Sequence, residues 1–303
     1  MRETMYLVRR NILLYLRDRS TVFFSVLSML IILGLAAIFL GSMHVESLMN
    51  ILDEFGITQD RTQTRENAEY LISVWTLAGI LLSNAVTVTM TAMQTMIQDE
   101  TSGKLAAFYT APVKRIRLSL SYVLSSFMIG SVMCILTFLV GEGYMLLRGY
   151  PLLTVSDWPA LFGMILLNVF VYAAAACLLT LFVHSESAWG GLLTIVGTLV
   201  GFVGATYLPM GTLPAGVGNV LKFLPVLHGT AMLRQVMTKD AILRMFTGLP
   251  EEVSRVYCEE MGIAVIMGQK TVTLTAQLLF LSVCALLSIG VAALLGRRRR
   301  TRI

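Results

Sequence analysis

The chain has 303 residues, of which 56% are hydrophobic and 14% are charged, and its mean hydropathy is +0.76. These values exclude an ordinary soluble domain, so we predict an all-α membrane protein with several transmembrane helices. The formal net charge of +5 comes from basic residues beside the hydrophobic runs. This distribution indicates contact with anionic membrane lipids and argues against a nucleic-acid partner.

Six apolar runs are long enough to span a membrane. A spanning helix needs about 20 mainly apolar residues, because the hydrocarbon core is about 30 Å thick and offers the backbone no hydrogen-bond partner. We therefore predict six transmembrane helices within a single domain of residues 1–303. The runs cover residues 21–43, 71–97, 118–147, 158–183, 189–208 and 273–295.

Lys and Arg concentrate in segments that would lie on one side of such a membrane. Fourteen of the 23 basic residues precede the first run, follow the second run or close the chain after the sixth. The loop after the first run is instead rich in Asp and Glu. Because loops with many positive charges stay in the cytoplasm, we predict a multi-pass protein of the plasma membrane with both termini cytoplasmic.

Residues 1–20 have the pattern of a helix that lies in the membrane surface. Met5 and Val8 belong to an apolar set at helical spacing, and Arg9 and Arg10 lie on the opposing arc. Such an interfacial helix buries its apolar face in the lipid boundary and keeps its charges in water. A plain extension of the first transmembrane helix is the alternative, but it would place these charges in hydrocarbon.

Polar side chains recur along the second run. Four of them follow one another at spacings of 3, 4 and 4 residues, so that one face of a helix carries them. We consider two interpretations: the side chains line a substrate path, or they form hydrogen bonds between helices. The set comprises Asn84, Thr87, Thr91 and Thr95, with Gln94 beside it.

Residues 98–112 form a charged, amphipathic segment between the second and third runs. Leu105, Phe108 and Tyr109 group on one side of a helical turn, and Pro112 would end that helix and open the next one. Apolar side chains that fill a groove, with charges that fix the register, are typical of a helix docked on a partner protein. The charges here are Asp99, Glu100 and Lys104. A solvated loop without a partner is the alternative.

The fifth run and the segment after it differ from the other spans. Gly197 and Gly201 form a small-xxx-small pair, which lets another helix approach closely. Within residues 209–272, apolar stretches of about a dozen residues are broken by Pro and Gly, as is typical of re-entrant or interfacial helices. The polar second half, residues 239–270, is predicted to be a small external cap.

Catalytic and metal-binding patterns are absent from the sequence. The phosphate-binding pattern G-x-x-x-x-G-K-[ST] does not occur, so we expect no ATP hydrolysis by this chain. His44, His184 and His228 are scattered, and the four cysteines form no framework of disulfides or metal ligands. Ion-coupled transport would need charges deep in the spans, and only Glu142 comes close. An external energy source is therefore expected.

The sequence resembles the type-2 ABC transporter permeases, a family of exporters that is similar to the membrane domain of the G subfamily of animal ABC transporters. The resemblance covers the whole chain through the order of its elements: the interfacial helix, six spans and the charged segment between spans two and three. It rests on Glu100, Gly103, Leu105, Phe108, residues 110–113, Arg115 and Leu118, and on the Leu-Pro pairs at 208–209, 213–214 and 224–225.

This resemblance implies a coupling helix at residues 98–112 that docks on a separately encoded ATPase subunit. It implies a homo- or heterodimer of permeases with two ATPase copies, which bind ATP and Mg, while this chain binds no cofactor or metal. The path would be lined by spans two and five, with Gly197 and Gly201 at the dimer seam. The implied docking residues are Asp99, Glu100, Gly103, Lys104, Leu105, Phe108, Tyr109, Pro112 and Arg115.

The expected substrate is amphipathic or lipid-like, for example a drug, an antimicrobial peptide or a lipid-linked glycan. A path rich in Met and Thr favours such cargo, because Met side chains adapt to varied shapes. Two other functions remain open at this point. One is a non-transporting sensor or immunity subunit that binds a peptide externally, and the other is a secondary transporter.

Overall fold

The computed structural model of the protein describes residues 2–35, 38, 41–54, 61–105, 108, 115–268 and 270–298. Within these residues the chain forms twelve α-helices and one antiparallel hairpin, which confirms the all-α fold class. The elements are α1 (Arg2–Arg17), α2 (Arg19–Leu35), α3 (Gly41–Glu54), α4 (Arg61–Thr101), α5 (Arg115–Leu147), α6 (Trp158–Leu179), α7 (Glu186–Val203), α8 (Ala215–Leu221), α9 (Pro225–Met237), α10 (Lys239–Phe246), α11 (Glu251–Glu260), β1 (Ile266–Met267), β2 (Lys270–Thr271) and α12 (Leu274–Arg298).

Five helices are long and apolar enough to cross a membrane, namely α4, α5, α6, α7 and α12. The pair α1 and α2 adds a sixth only if it is counted as one broken span, because the two helices meet at 73°. The first predicted run, 21–43, falls on α2 and the start of α3, with residues 36, 37, 39 and 40 outside the described part of the chain. The segment expected to be a loop after this run contains α3, which packs against α4. The count of six spans stays a prediction.

Helix α4 is the centre of the bundle. It has 41 residues, which gives a length of about 61 Å at 1.5 Å per residue, twice the thickness of a hydrocarbon core. Its apolar residues lie on all sides rather than on one face, as is typical of a helix surrounded by protein. Helices α2, α3, α5, α6, α7, α9 and α10 pack around it.

We call the end of the bundle that contains α1 the basal end. There α1 packs on α5 and α4. Val8, Asn11 and Tyr15 are buried, whereas Met5 and Leu16 are 68% and 57% exposed. The apolar set predicted for one face of the interfacial helix is therefore divided, because one arc of α1 contacts the bundle and another arc remains uncovered.

The junction between α1 and α2 is a sharp turn with its own cap. The carboxylate of Asp18 accepts hydrogen bonds from the backbone N of Thr21 (3.1 Å) and from its hydroxyl (2.7 Å). These bonds satisfy a free N–H in the first turn of α2, so that the new helix begins there. The 73° bend keeps α1 from continuing the direction of α2.

Residues 204–268 and 270–272 form the opposite end, which we call the cap end. Helices α8 and α9 have 7 and 13 residues, too few to cross a membrane. Helix α9 packs between α4, α6 and α12, so it lies inside the bundle. Helix α10 buries Met245 and Phe246 and packs on α4, whereas α11 exposes Glu251 and Glu252. The predicted cap is therefore only partly solvated.

A buried arginine joins the cap end to α4. The guanidinium of Arg234 donates hydrogen bonds to the carbonyl oxygens of Ala205 (2.7 Å) and Met261 (3.2 Å), and lies 4.0 Å from the centroid of the Trp75 ring. Trp75 Nε1 donates to the same Met261 carbonyl at 2.8 Å. Burial lowers the pKa of Arg234 to about 9, so it stays charged at neutral pH. Backbone carbonyls and an aromatic face are thus the partners of this cation, and its buried Nε has no hydrogen-bond partner among the described residues.

Candidate functional site

The residues predicted to dock on a partner lie at the basal end of α4. We call residues 98–105 together with Phe108 the basal segment. Of the other predicted docking residues, Tyr109 and Pro112 lie outside the described residues, and Arg115 begins α5. The structure thus describes the first half of the predicted coupling helix, which is the last turn of α4 and the residues that follow it.

A tight turn ends α4 within the basal segment. After Thr101 the chain turns at Gly103, whose φ of +74° lies in the region that favours glycine. The backbone N of Gly103 donates to the carbonyl of Glu100 at 3.1 Å. Lys104 is exposed, and Leu105 folds back into the core with 5% exposure. The segment therefore presents the exposed turn at 103–104 while Leu105 holds it from inside.

Asp99 is the internal anchor of the basal segment. It is 2% exposed, and it forms a bidentate ion pair with Arg10 of α1, in which Nη2 donates to Oδ1 at 2.7 Å and Nη1 contacts Oδ2. The hydroxyl of Tyr122 in α5 donates to the same Oδ2 at 2.6 Å. The Arg10 guanidinium also lies 5.4 Å from the ring centroid of Phe108. A buried carboxylate needs such partners, so Asp99 joins three helices and is not part of the exposed surface predicted for docking.

The neighbouring residues of α4 reach a different part of the chain. Glu100 Oε1 lies 3.2 Å from His184 Nδ1, and the Thr101 hydroxyl donates to Glu186 Oε1 at 2.9 Å. His184 belongs to the connection between α6 and α7, and Glu186 begins α7. In the last turn of α4, Asp99 therefore contacts α1 and α5. The next two residues, Glu100 and Thr101, contact the start of α7 and the connection before it.

The polar stripe of α4 is not uniform. Asn84 is buried, and its Nδ2 donates to Thr137 Oγ1 (2.5 Å) and to the carbonyl of Met133 (3.4 Å), both in α5. These bonds are of the interhelical kind. Thr87 and Thr91 are half-buried and donate to carbonyls of their own helix, at 3.0 and 2.9 Å. Within the described part of the chain, Asn84 is thus the one residue of the stripe that forms a hydrogen bond to a neighbouring helix.

Thr87 and Thr91 line an open groove between α4 and α2, with a volume of about 260 Å³. Gln94 and Thr95 are half-buried on the following turn of α4. The opposite wall carries hydroxyl groups that the sequence analysis missed. Their helical spacing in the first apolar run is the signal that could have found them. All eight described residues around the groove are uncharged: Ser20, Thr21, Phe24, Ser25, Ser28, Thr87, Val88 and Thr91.

The two glycines of α7 contact residues of this chain. A Cβ atom on Gly197 would lie 3.7 Å from Thr87 Cγ2, and one on Gly201 would lie 2.2 Å from the Tyr207 ring. Gly197 therefore places α7 beside the polar stripe, and Gly201 lets Tyr207 fold back on α7. Large apolar residues elsewhere on α7 are uncovered, with Ile195 57% and Leu199 50% exposed.

The three histidines contact different parts of the molecule. His44 packs on Trp75, His228 packs on Phe280, and His184 faces Glu100. Among the described residues, no three His, Cys, Asp or Glu side chains lie close enough together to hold a metal ion. The described residues thus include an exposed turn at the basal end and an open groove between α4 and α2.

Comparison with known proteins identifies a family that matches most of the chain. A family model described as ABC-2 family transporter protein matches residues 42–295, from the start of α3 to the last turns of α12. The match includes the polar stripe, the basal segment and the cap end. No curated protein matches the chain.

Proposed function

Because the chain belongs to the ABC-2 family of transporter proteins and is thus the membrane permease subunit of an ABC transporter, we propose that it exports its substrate across the plasma membrane. The observation that supports this most is the continuity of α4, one helix of 41 residues that carries both the groove residues and the basal segment. Only about 15 Å of hydrogen-bonded helix separate Thr91 from Thr101. A displacement at the basal segment therefore reaches the groove.

The exposed part of the basal segment docks on the ATPase subunit in this proposal. Lys104 and Gly103 are exposed, and Glu100 is half-buried. Leu105 and Asp99 are buried and hold the segment in place from within. Two ATPase copies bind ATP and Mg, and the permease itself binds no cofactor. The proposal keeps the predicted docking roles of Phe108, Tyr109, Pro112 and Arg115.

The second part of the proposal concerns the substrate path. Thr87, Thr91, Gln94 and Thr95 face a cavity shared by two permease protomers, which are either identical or different chains. The uncovered face of α7, near Gly197 and Gly201, lies at the seam between them. Uncharged hydroxyls beside Phe24 and Val88 suit an amphipathic or lipid-like substrate, such as a drug, an antimicrobial peptide or a lipid-linked glycan.

Replacing Thr91 by Leu tests the path. Because Thr91 lines an open groove, the larger side chain should leave the melting temperature near that of the wild type and change the substrate range or the stimulated ATPase activity. If the groove is instead closed by packing, the added volume should cost about 1 to 3 kcal/mol of stability. A large drop in melting temperature with unchanged substrate range would contradict the path.

The orientation proposed here has both termini in the cytoplasm. The exposed basic residues Arg9, Arg17 and Arg19 at the basal end support it, because positive charge is retained on the cytoplasmic side. The basal segment then faces the compartment that supplies ATP. The cap end faces outward, as the ATPase-docking role of the opposite end requires.

One observation favours a second function, recognition of a peptide by a sensor or immunity subunit. An open cavity of about 320 Å³ at the cap end lies between α8 and α11, with Lys222 and Glu259 among its lining residues. A cavity lined by positive and negative side chains suits a peptide, because a peptide carries positive and negative charges. Ion-coupled secondary transport gains no such support, because Glu142 accepts a hydrogen bond from the backbone N of Leu153 at 3.0 Å.

Purification of the tagged chain from its native membrane tests the main proposal. We expect a stoichiometric ATPase subunit, and we expect Lys104→Glu to lower the ratio of ATPase to permease about fivefold, equivalent to about 1 kcal/mol. Arg255→Glu is the matched control, because Arg255 is exposed at the cap end with 71% of its side chain accessible. A permease that purifies without an ATPase, or equal behaviour of the two variants, would contradict docking by the basal segment.

A further inference from the structure

The connection between α6 and α7 is ordered by contacts on both of its sides. At the end of α6, the hydroxyl of Thr180 donates to the carbonyl of Cys177 at 2.7 Å, and Thr180 is fully buried. At the start of α7, Ser185 Oγ accepts a hydrogen bond from the backbone N of Ala188 at 3.2 Å. This N-cap sets where α7 begins. The connection thus holds the residues between these caps in a defined place against α4.

Three contacts fasten the first turn of α7 to α4. His184 pairs with Glu100, and Glu186 accepts the hydroxyl of Thr101. One turn further along α7, the buried Trp189 donates its Nε1 to the carbonyl of Met90 at 3.2 Å. The glutamate is also favourable where it stands, because a negative charge stabilises the N-terminus of a helix.

Beyond this first turn, one face of α7 packs on the bundle through Leu192, Leu193 and Val196, and the other face is uncovered. Thr194, Thr198 and Leu199 are exposed, whereas Val200 and Gly201 are buried near the cap end. A continuous helix transmits a displacement of its first turn along its length, because its own hydrogen bonds keep it straight. The start of α7 is therefore the point at which the basal segment acts on the helix that passes Thr87.

From these contacts we infer that His184 and Glu186 are positioning residues that make the start of α7 move together with the basal segment. This inference rests on the proposed function and extends it to a second cytoplasmic connection. Both links are side-chain contacts at the surface, since His184 and Glu100 have 54% and 29% of their side chains exposed. Such exposed pairs contribute little to stability, so they can be removed without unfolding the protein.

The double variant Thr101→Val and His184→Phe removes the two links while keeping side chains of similar shape. A nitroxide at Thr198→Cys reports on α7, and a second preparation with the nitroxide at Ser28→Cys reports on the groove. Both carry Cys258→Ser and Cys284→Ser, which remove the partly exposed thiols. Each is studied as the complex with its ATPase in lipid nanodiscs, with and without a non-hydrolysable ATP analogue and Mg.

We expect the nucleotide to shift the spectrum at both reporters in the otherwise unmodified chain. In the double variant, the shift at Thr198→Cys should become smaller, because only the bond from Trp189 to Met90 still fastens the start of α7 to α4, while the ratio of ATPase to permease stays within about twofold of the parent. The variant Glu252→Gln with Arg255→Leu, which removes an exposed pair at the cap end, should keep both shifts. A full shift at Thr198→Cys in the double variant would overturn the inference alone. Absence of a bound ATPase, or of any shift in the parent, would overturn the proposed function as well.

Discussion

The two ends of α4 hold a buried or half-buried arginine by different means. At the basal end, Arg10 meets the carboxylate of Asp99, and 28% of its side chain remains exposed. At the cap end, the fully buried Arg234 donates to backbone carbonyls and stacks on Trp75, and among the described residues no carboxylate pairs with it. An ion pair between side chains can separate and form again. Carbonyls of a turn can leave their donor only if the turn itself opens.

This difference means that the contacts at the basal end can separate through side-chain rotation alone, whereas those at the cap end also require a change of backbone. The basal contacts join side chains of α1, α4, α5 and the start of α7. The cap contacts join backbone turns at 205 and 261 to α4 and α9. Docking of a partner that changes shape is therefore compatible with the basal end, and the cap end provides a fixed reference.

The largest effect is expected at the cap end. Arg234→Met leaves the carbonyl of Ala205 without its donor and removes the cation from the Trp75 ring, whereas the Met261 carbonyl keeps its bond from Trp75. Together these losses should cost about 3 kcal/mol of unfolding free energy. Arg234→Lys keeps the charge and should lose less. The exposed Arg244→Met is the control. Melting temperatures of the purified proteins measure these effects. An Arg234→Met variant as stable as the control would contradict the stabilising role of Arg234 at the cap end.

A smaller effect is expected at the basal end. Breaking a fully buried ion pair costs about 3 to 5 kcal/mol, and the partial exposure of Arg10 reduces the expectation for Asp99→Ala to about 2 kcal/mol. Asp99→Ala combined with Arg10→Ala should cost less than the sum of the single variants, by about 1 kcal/mol. Glu3→Gln, which removes an exposed pair with Arg117, should change little. Additive losses for Asp99 and Arg10 would show that the two do not act as a pair.

The smallest effect concerns the surface of the cap end and leaves stability unchanged. Burial raises the pKa of Cys258 to about 11, so at pH 7.5 little of it is the reactive thiolate, and its labelling should accelerate as the pH rises towards that value. Glu259→Cys places a thiol on the exposed face of α11. A membrane-impermeant maleimide should label it in intact cells at least about tenfold faster than Cys258. Labelling of Glu259→Cys only after lysis would place the cap end inside the cell.

The sequence was sufficient to predict the helical membrane fold, because the length and hydropathy of each run are local properties. It was not sufficient to place Asp99, since a charge in an amphipathic segment has the pattern of an exposed residue. Its partner Arg10 lies 89 residues away along the chain. Nothing in the spacing of either residue indicates that α1 crosses the bundle at this point.

The polar stripe shows a second limit of periodicity. Spacing places Asn84, Thr87 and Thr91 on one face of α4, but a helix surrounded by neighbours has several environments along one face. Asn84 lies against α5, and Thr87 and Thr91 lie at the groove beside α2. The hydrogen bonds of Asn84 and the open groove depend on how the neighbouring helices are tilted. The spacing of residues along one helix gives no information about that tilt.

Because α4 is one unbroken helix, the displacement of its two ends that a tilt would cause can be calculated. Trp75 and Asp99 are separated by 24 residues, or about 36 Å of helix, so a pivot midway gives two arms of about 18 Å. A tilt of about 5° would then move each end by about 1.5 Å in opposite directions. Because Trp75 is held by Arg234 and Met261, the pivot of such a tilt would lie nearer the cap end, and the larger displacement would be at the basal segment.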